Sequence, residues 1–264
     1  MSGRLVDADG CPLYVRVDGP ETAPALMLSN SLGTDLHLWD AQVPAWAKSL
    51  HLVRYDRRGH GRSGLGHAPH TMERFGRDAL TIMDALDLEK VHWCGLSMGG
   101  MVGQWLAANA PERIDRLVLS NTSAYFPDKT RWNDRIKAVR EKGVGAVADA
   151  VMNIWFTADF RARAPEIVAR MKAMLSATSV EGYLAACEAI RDMDLRELLT
   201  KIAAPTLIIA GKHDLSTPME GAEFIHAGIA GSALTVLATA HIANIEQPEI
   251  YAHTVSEFLA QPAP

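Results

Sequence analysis

Val91-His92-Trp93-Cys94-Gly95-Leu96-Ser97-Met98-Gly99-Gly100-Met101 reads as an apolar strand that turns through Gly-x-Ser-x-Gly into a helix. The pattern predicts a serine on a strained strand-to-helix turn, its hydroxyl raised above a sheet. Gly95 and Gly99 let neighbouring backbone pass where a larger side chain would clash. The helix that follows, ended by Asn109, Ala110 and Pro111, brings its positive N-terminal end and a free N–H at Met98 to the place where an oxyanion forms in acyl transfer. Such a turn suits attack on an ester-type carbonyl.

Working outward, a hairpin is expected over 4–8 and 13–17 around the Asp9-Gly10 turn. Short buried strands follow over 25–29, 51–56, 91–96, 114–120, 205–210 and 233–237, with helices near 40–50, 72–86, 100–109, 218–227 and 248–260. This alternation predicts an α/β fold with a mostly parallel sheet flanked by helices and an active site at the carboxyl ends of the strands. Between Ser120 and Pro205 the alternation stops. Val144, Val147, Val151 and Trp155 fit one helix face, and Ile167, Met171, Met174 and Leu175 fit another. A capping box at Thr178-Ser179-Val180-Glu181 opens a third helix through Cys187 and Ile190, and Asp194-Leu195-Arg196-Glu197 opens a fourth. The expected organisation is a core over 1–122, an inserted helical cap over 123–203 and the rest of the core over 204–264. No internal repeat is visible, and Gln261-Pro262-Ala263-Pro264 reads as a frayed tail.

A serine hydroxyl needs a base, and the base needs an acid to fix its tautomer. In a strand-to-helix elbow of this kind the chain order is serine, acid, histidine. The strand over 205–210 ends in Gly211-Lys212-His213-Asp214, and the next ends in Ala238-Thr239-Ala240-His241. Asp214 and His241 therefore fall on the same rim as Ser97. Among the ten histidines, His92 lies within a strand, His226 and His253 lie on helices, and His213 is the nearest competitor. Asp56 precedes the serine and has the wrong order, while Glu246 reads as the start of the next helix in preference to a support behind the triad. The second oxyanion donor is expected at Leu32 N–H, in the loop Asn30-Ser31-Leu32-Gly33, where Asn30 and Ser31 tie the loop down. The donor-rich run from Arg54 to Ser63 lacks the lysine and spacing of a phosphate-binding loop and reads as a tight turn beside the elbow, with an arginine able to face an anionic substrate.

Composition sets the class. The 264 residues are 48% hydrophobic and 22% charged, enough for one large core. A net charge of -5 with both signs scattered argues against nucleic-acid partners and a polybasic membrane patch. Three dispersed cysteines, Cys11, Cys94 and Cys187, support neither a disulfide framework nor a zinc site. The first ten residues are too polar for a signal peptide, and no run approaches the roughly 18 apolar residues of a membrane span. A cytoplasmic protein is expected.

Gly95-Leu96-Ser97-Met98-Gly99-Gly100, the run from Tyr55 to Ser63, Asp214 and His241 together resemble the α/β-hydrolase superfamily over nearly the whole chain. More narrowly, Asn30 to Asp35, Met98 to Ala107, Arg191 to Arg196 and Asn244 to Glu249 look like the 3-oxoadipate enol-lactonases. The resemblance implies cofactor-free and metal-free opening of a small anionic enol-lactone by a serine acyl-enzyme, in the cytoplasmic β-ketoadipate pathway of aromatic catabolism. Catalytic roles then fall to Ser97, Asp214 and His241, with Leu32 and Met98 N–H as the oxyanion hole. The substrate's carboxylate calls for a cationic group and an apolar wall near the cap, for which Arg135, Trp132 and Trp155 are the candidates. Other esterases, lactonases, carbon–carbon bond hydrolases and cofactor-free haloperoxidases share this fold and triad. A dehalogenase is disfavoured because it would carry aspartate at position 97, and a complete Ser97, Asp214 and His241 set argues against a non-catalytic ligand receptor. Oligomeric state is not legible.

Overall fold

A computed structural model describes residues 3–262. Eight strands form one sheet in the order β1-β2-β4-β3-β5-β6-β7-β8. They are β1 (Arg4–Asp7), β2 (Pro12–Asp18), β3 (Ala25–Ser29), β4 (His51–Tyr55), β5 (Val91–Leu96), β6 (Ile114–Ser120), β7 (Thr206–Gly211) and β8 (Ala233–Leu237). Only the first two pairings, β1 with β2 and β2 with β4, are antiparallel. Every residue of β4 and β7 is buried, as strands covered on both faces must be.

The helices are α1 (Val43–Trp46), α2 (Met72–Ala85), α3 (Met98–Asn109), α4 (Thr130–Lys142), α5 (Ala148–Trp155), α6 (Ala158–Arg163), α7 (Pro165–Ser176), α8 (Val180–Asp192), α9 (Met219–Gly228), α10 (Ala243–Glu246) and α11 (Pro248–Leu259). α2 packs on α3, and α1 packs on α11, where the Trp46 indole donates to Ala252 O and Ser256 Oγ. Between β6 and β7 the chain runs through α4 to α8 without a strand. This helical segment is tied to the core at Gly182, whose Cα meets the backbone of Gly59 so closely that a Cβ there would strike it.

Parallel register aligns the carboxyl ends. Leu96 pairs with Ser120, Ser120 with Ile209, and Gly211 with Leu237. The residues that follow, Ser97, Asn121, Asp214 and His241, therefore emerge on one rim.

Several expectations change in detail. The helix expected near 40–50 is a 3-10 turn at Leu36–Trp39 followed by the single turn of α1, because Pro44 is tolerated only in a helix's first turn. The face from Val144 to Trp155 is divided between a 3-10 turn at Val144–Val147 and α5. Ser179, and not Thr178, caps α8, accepting from Gly182 N–H. The fourth helix is a 3-10 turn, Arg196–Lys201. There Leu195 N–H bonds Ala124 O as the chain re-enters the core, and Asp194 bridges Tyr125. The expected frayed tail is held as far as Pro262, since Arg116 donates to the carbonyls of Gln261 and Pro262. Ala263 and Pro264 lie outside the described residues. No helix among the described residues is long and apolar enough to cross a membrane, and the three cysteines are buried and free.

Candidate active site

Ser97 sits at φ 58, ψ −114, a left-handed backbone that L-residues adopt only when their surroundings impose it. Those surroundings are specific. Ser97 N–H donates to Ser120 O at 2.8 Å, and its carbonyl accepts Thr122 Oγ1 at 2.7 Å and the N–H of Gly100 and Met101. A Cβ at Gly95 would strike the Gly99 carbonyl, and one at Gly99 would strike the Ser29 carbonyl. Only glycine lets strand, turn and helix approach so closely.

Asp214 and His241 meet as the sequence order demands. His241 Nδ1 lies 2.8 Å from Asp214 Oδ2, and both side chains are almost wholly buried. Asp214 Oδ2 also accepts Asn121 Nδ2 at 3.0 Å and Thr217 Oγ1 at 2.8 Å. Its Oδ1 accepts Ser216 N–H at 2.7 Å and Thr217 N–H at 3.0 Å. Burial by itself would raise the Asp214 carboxyl, but the charge and hydrogen bond of His241, with those of Thr217 and Asn121, outweigh it and hold the group below its ordinary value. An ionised Asp214 accepting Nδ1–H leaves Nε2 as the basic nitrogen of His241.

Ser97 and His241 line one narrow cavity. No hydrogen bond joins their side chains in this structure; resting active-site bonds of this kind commonly tighten only when substrate is bound. The core contributes Ser31, Leu32, Met101, Ser216 and Thr217 to the lining, and the helical segment contributes Trp132, Arg135, Trp155, Tyr183 and Ile190. Leu32 N–H has no partner among the described residues, and Met98 N–H, at the first position of α3, lies outside the helix ladder. The structure thus brings Ser97, His241, Leu32, Trp132, Arg135 and Trp155 to one cavity, with Asp214 behind His241. Arg135 forms no ion pair among the described residues and lies over the Trp132 ring at 5.1 Å.

The arginines of the run from Arg54 to Ser63, expected to offer one toward an anionic substrate, do not line this cavity. Arg58 is paired with Asp78 and Arg54 with Asp18 and Asp40. Arg57 donates to the carbonyls of Asn30 and Ser31 and so fixes the loop that carries Leu32. Asp56 holds the N–H groups of Leu36 and Arg62. Burial lifts Asp56 to about 6 and depresses Arg57 to about 10. His213 is exposed and outside the cavity.

Sequence reasoning missed Asn121, Ser216, Thr217 and Tyr183. A legible signal existed for the first three. Asn121 follows a strand's carboxyl end, and Ser216 and Thr217 stand two and three residues beyond Asp214, where a carboxylate caps its own turn. Tyr183 carried none. Glu246 is also more than a helix start. Its buried carboxylate accepts Ala240 N–H at 2.9 Å, Thr157 N–H at 3.3 Å and Thr157 Oγ1.

Comparison with known proteins identifies the fold and its relatives. A family described as the alpha/beta hydrolase fold matches residues 24–248. The chain is 38% identical to 3-oxoadipate enol-lactonase 2 of Acinetobacter baylyi, over 90% of this chain and 89% of that one. It is 36% identical to 3-oxoadipate enol-lactonase 1 of the same organism, over 97% and 96%. The crystal structure of the enol-lactonase from Burkholderia xenovorans superposes with a TM-score of 0.95 at 40% identity, covering 97% of this chain and all of that one. With its glycine-framed Ser97 above a mostly parallel sheet and matches of this extent, the chain belongs to the α/β-hydrolase family.

Proposed function

We propose that this protein is a carboxylic ester hydrolase that opens the enol-lactone of 3-oxoadipate, with Ser97 as nucleophile, His241 as base and Asp214 as the group that orients it. The observation that carries the reading is Arg135: a guanidinium without a carboxylate partner among the described residues lines the same narrow cavity as Ser97 and His241. A cation left uncompensated beside a nucleophile is matched by an anionic substrate. The names of the relatives supply the particular lactone.

In this reading His241 Nε2 takes the Ser97 proton as Oγ bonds to the lactone carbonyl carbon. The tetrahedral oxyanion accepts Leu32 and Met98 N–H. Cleavage of the ring carbon–oxygen bond frees an enolate oxygen that stays on the acyl chain bound to Ser97; it takes the proton from His241, and the enol tautomerises to the 3-oxo acyl-enzyme. His241 then deprotonates a water that attacks the acyl-enzyme, and returns that proton to Ser97 Oγ. Residues 123–203 act as a cap, with Arg135 on the substrate carboxylate and Trp132 and Trp155 as apolar walls. The enzyme works in the bacterial cytoplasm, within aromatic catabolism.

The test is the ultraviolet loss of freshly generated lactone with wild type and Ser97→Ala, beside a neutral p-nitrophenyl ester. Fast lactone turnover is expected, falling by about 10⁴- to 10⁶-fold in the variant, with a weak ester rate. An inert lactone beside a fast ester would overturn the substrate and keep the chemistry.

A further inference from the structure

Ser31 is 1% exposed and lines the cavity with Ser97 and His241. Its Oγ is buried and has no hydrogen-bond partner among the described residues. Burying a hydroxyl without a partner costs stability. The loop around it is otherwise well bonded. Asn30 Nδ2 donates to Tyr55 O at 2.8 Å, and Asn30 Oδ1 accepts the Trp39 indole N–H at 2.9 Å. The Ser31 carbonyl accepts Thr34 Oγ1 at 3.0 Å and Arg57 at 3.4 Å. Gly33 N–H donates to His60 Nε2 at 3.1 Å. Two donors adjacent in the chain remain free at the cavity, Ser31 O–H and Leu32 N–H.

We propose that the Ser31 hydroxyl is a third donor to the oxyanion of the tetrahedral intermediate, completing a set begun by Leu32 and Met98 N–H. This rests on the acyl-transfer reading of the site. An alkoxide oxygen has three lone pairs, and two backbone N–H groups occupy two of them. The third is met by a hydroxyl that can turn about one bond, on a loop whose backbone is clamped by Arg57 and His60. The substrate carboxylate has its own partner in Arg135, which projects from α4 and not from this loop. The orphan hydroxyl is thus a loss tolerated in the resting protein and recovered when charge develops on the carbonyl oxygen.

The experiment compares Ser31→Ala and Ser31→Thr with wild type, using the lactone, a neutral p-nitrophenyl ester and thermal unfolding without ligand. For Ser31→Ala, kcat falls about ten- to a hundredfold on both substrates, since both pass through an oxyanion and two N–H donors remain. KM changes less than about twofold. Tm is equal to wild type or higher, because the substitution removes a buried hydroxyl that has no partner. Ser31→Thr, which keeps the hydroxyl, recovers most of kcat. Unchanged kcat on both substrates overturns the proposal. So does a KM increase confined to the lactone, which would make Ser31 a carboxylate contact, or a lowered Tm with kcat intact, which would make it structural. Should the lactone prove inert with wild type, the ester still reports the Ser31 effect, so the two readings fail separately.

Discussion

The carbonyl of Trp155, the last residue of α5, accepts the backbone N–H of His241 at 3.1 Å, and that of Ile242 at the same distance. The loop carrying the candidate base is therefore positioned by the helical segment as much as by the sheet. Glu246 adds a second tie. One carboxylate oxygen holds Ala240, beside His241, and the other holds Thr157, two residues after Trp155.

Glu246→Gln offers one acceptor oxygen and one NH2 where three donors converge, so either Ala240 or Thr157 loses its partner. We expect a loss of about 1–3 kcal/mol in thermal unfolding and a fall in kcat larger than any change in KM. A variant that loses stability and keeps wild-type kcat would show that the clamp holds the fold and not His241.

Arg135→Ala is expected to raise KM for the anionic lactone by roughly ten- to a hundredfold, the worth of about 1.5–3 kcal/mol for a hydrogen bond to a charged group. The neutral ester should be nearly unaffected. Equal effects on both substrates in steady-state kinetics would mean that Arg135 supports Trp132 and does not bind the substrate.

His60 makes acid stability testable. Burial, reinforced by the Arg57 charge, depresses its imidazole from 6.5 to about 3. Below pH 6.5 the unfolded chain takes up a proton that the folded one refuses, so stability falls as pH drops from 6.5 toward 3. Asp56 acts in the opposite sense. Raised from 3.8 to about 6, it makes the folded state less stable as pH rises through that window. In His60→Gln the amide can accept Gly33 N–H and donate to Arg58 O, and the His60 contribution, at most about 1.4 kcal/mol per pH unit, disappears. The difference in Tm between wild type and variant should therefore change steadily between pH 6.5 and 5. A constant difference would show that His60 does not refuse the proton.

The alternation of strands and helices, the elbow and the order Ser97, Asp214, His241 were legible because each is written locally. Short continuous apolar runs make β5 and β7, glycines mark the close approaches of the elbow, and a parallel strand's carboxyl end places whatever follows it on the rim. Boundaries were less legible, as at the segment after Leu195, which is a 3-10 turn, Arg196–Lys201, entered through the bond from Leu195 N–H to Ala124 O.

Asn121, Tyr183 and Glu246 show the other limit. Each matters through a partner far along the chain: Asn121 through Asp214, Tyr183 through the cavity between core and helical segment, Glu246 through Thr157. Whether Trp132, Arg135 and Trp155 face a site or solvent was likewise open in the sequence, because helical spacing fixes which residues share a face and not what that face meets. The sequence by itself determined the sheet, the elbow and the serine at its turn. Only the tertiary structure decided which side chains surround that serine, because burial, hydrogen-bond satisfaction and the pairing of charges are set between segments that the chain brings together only on folding.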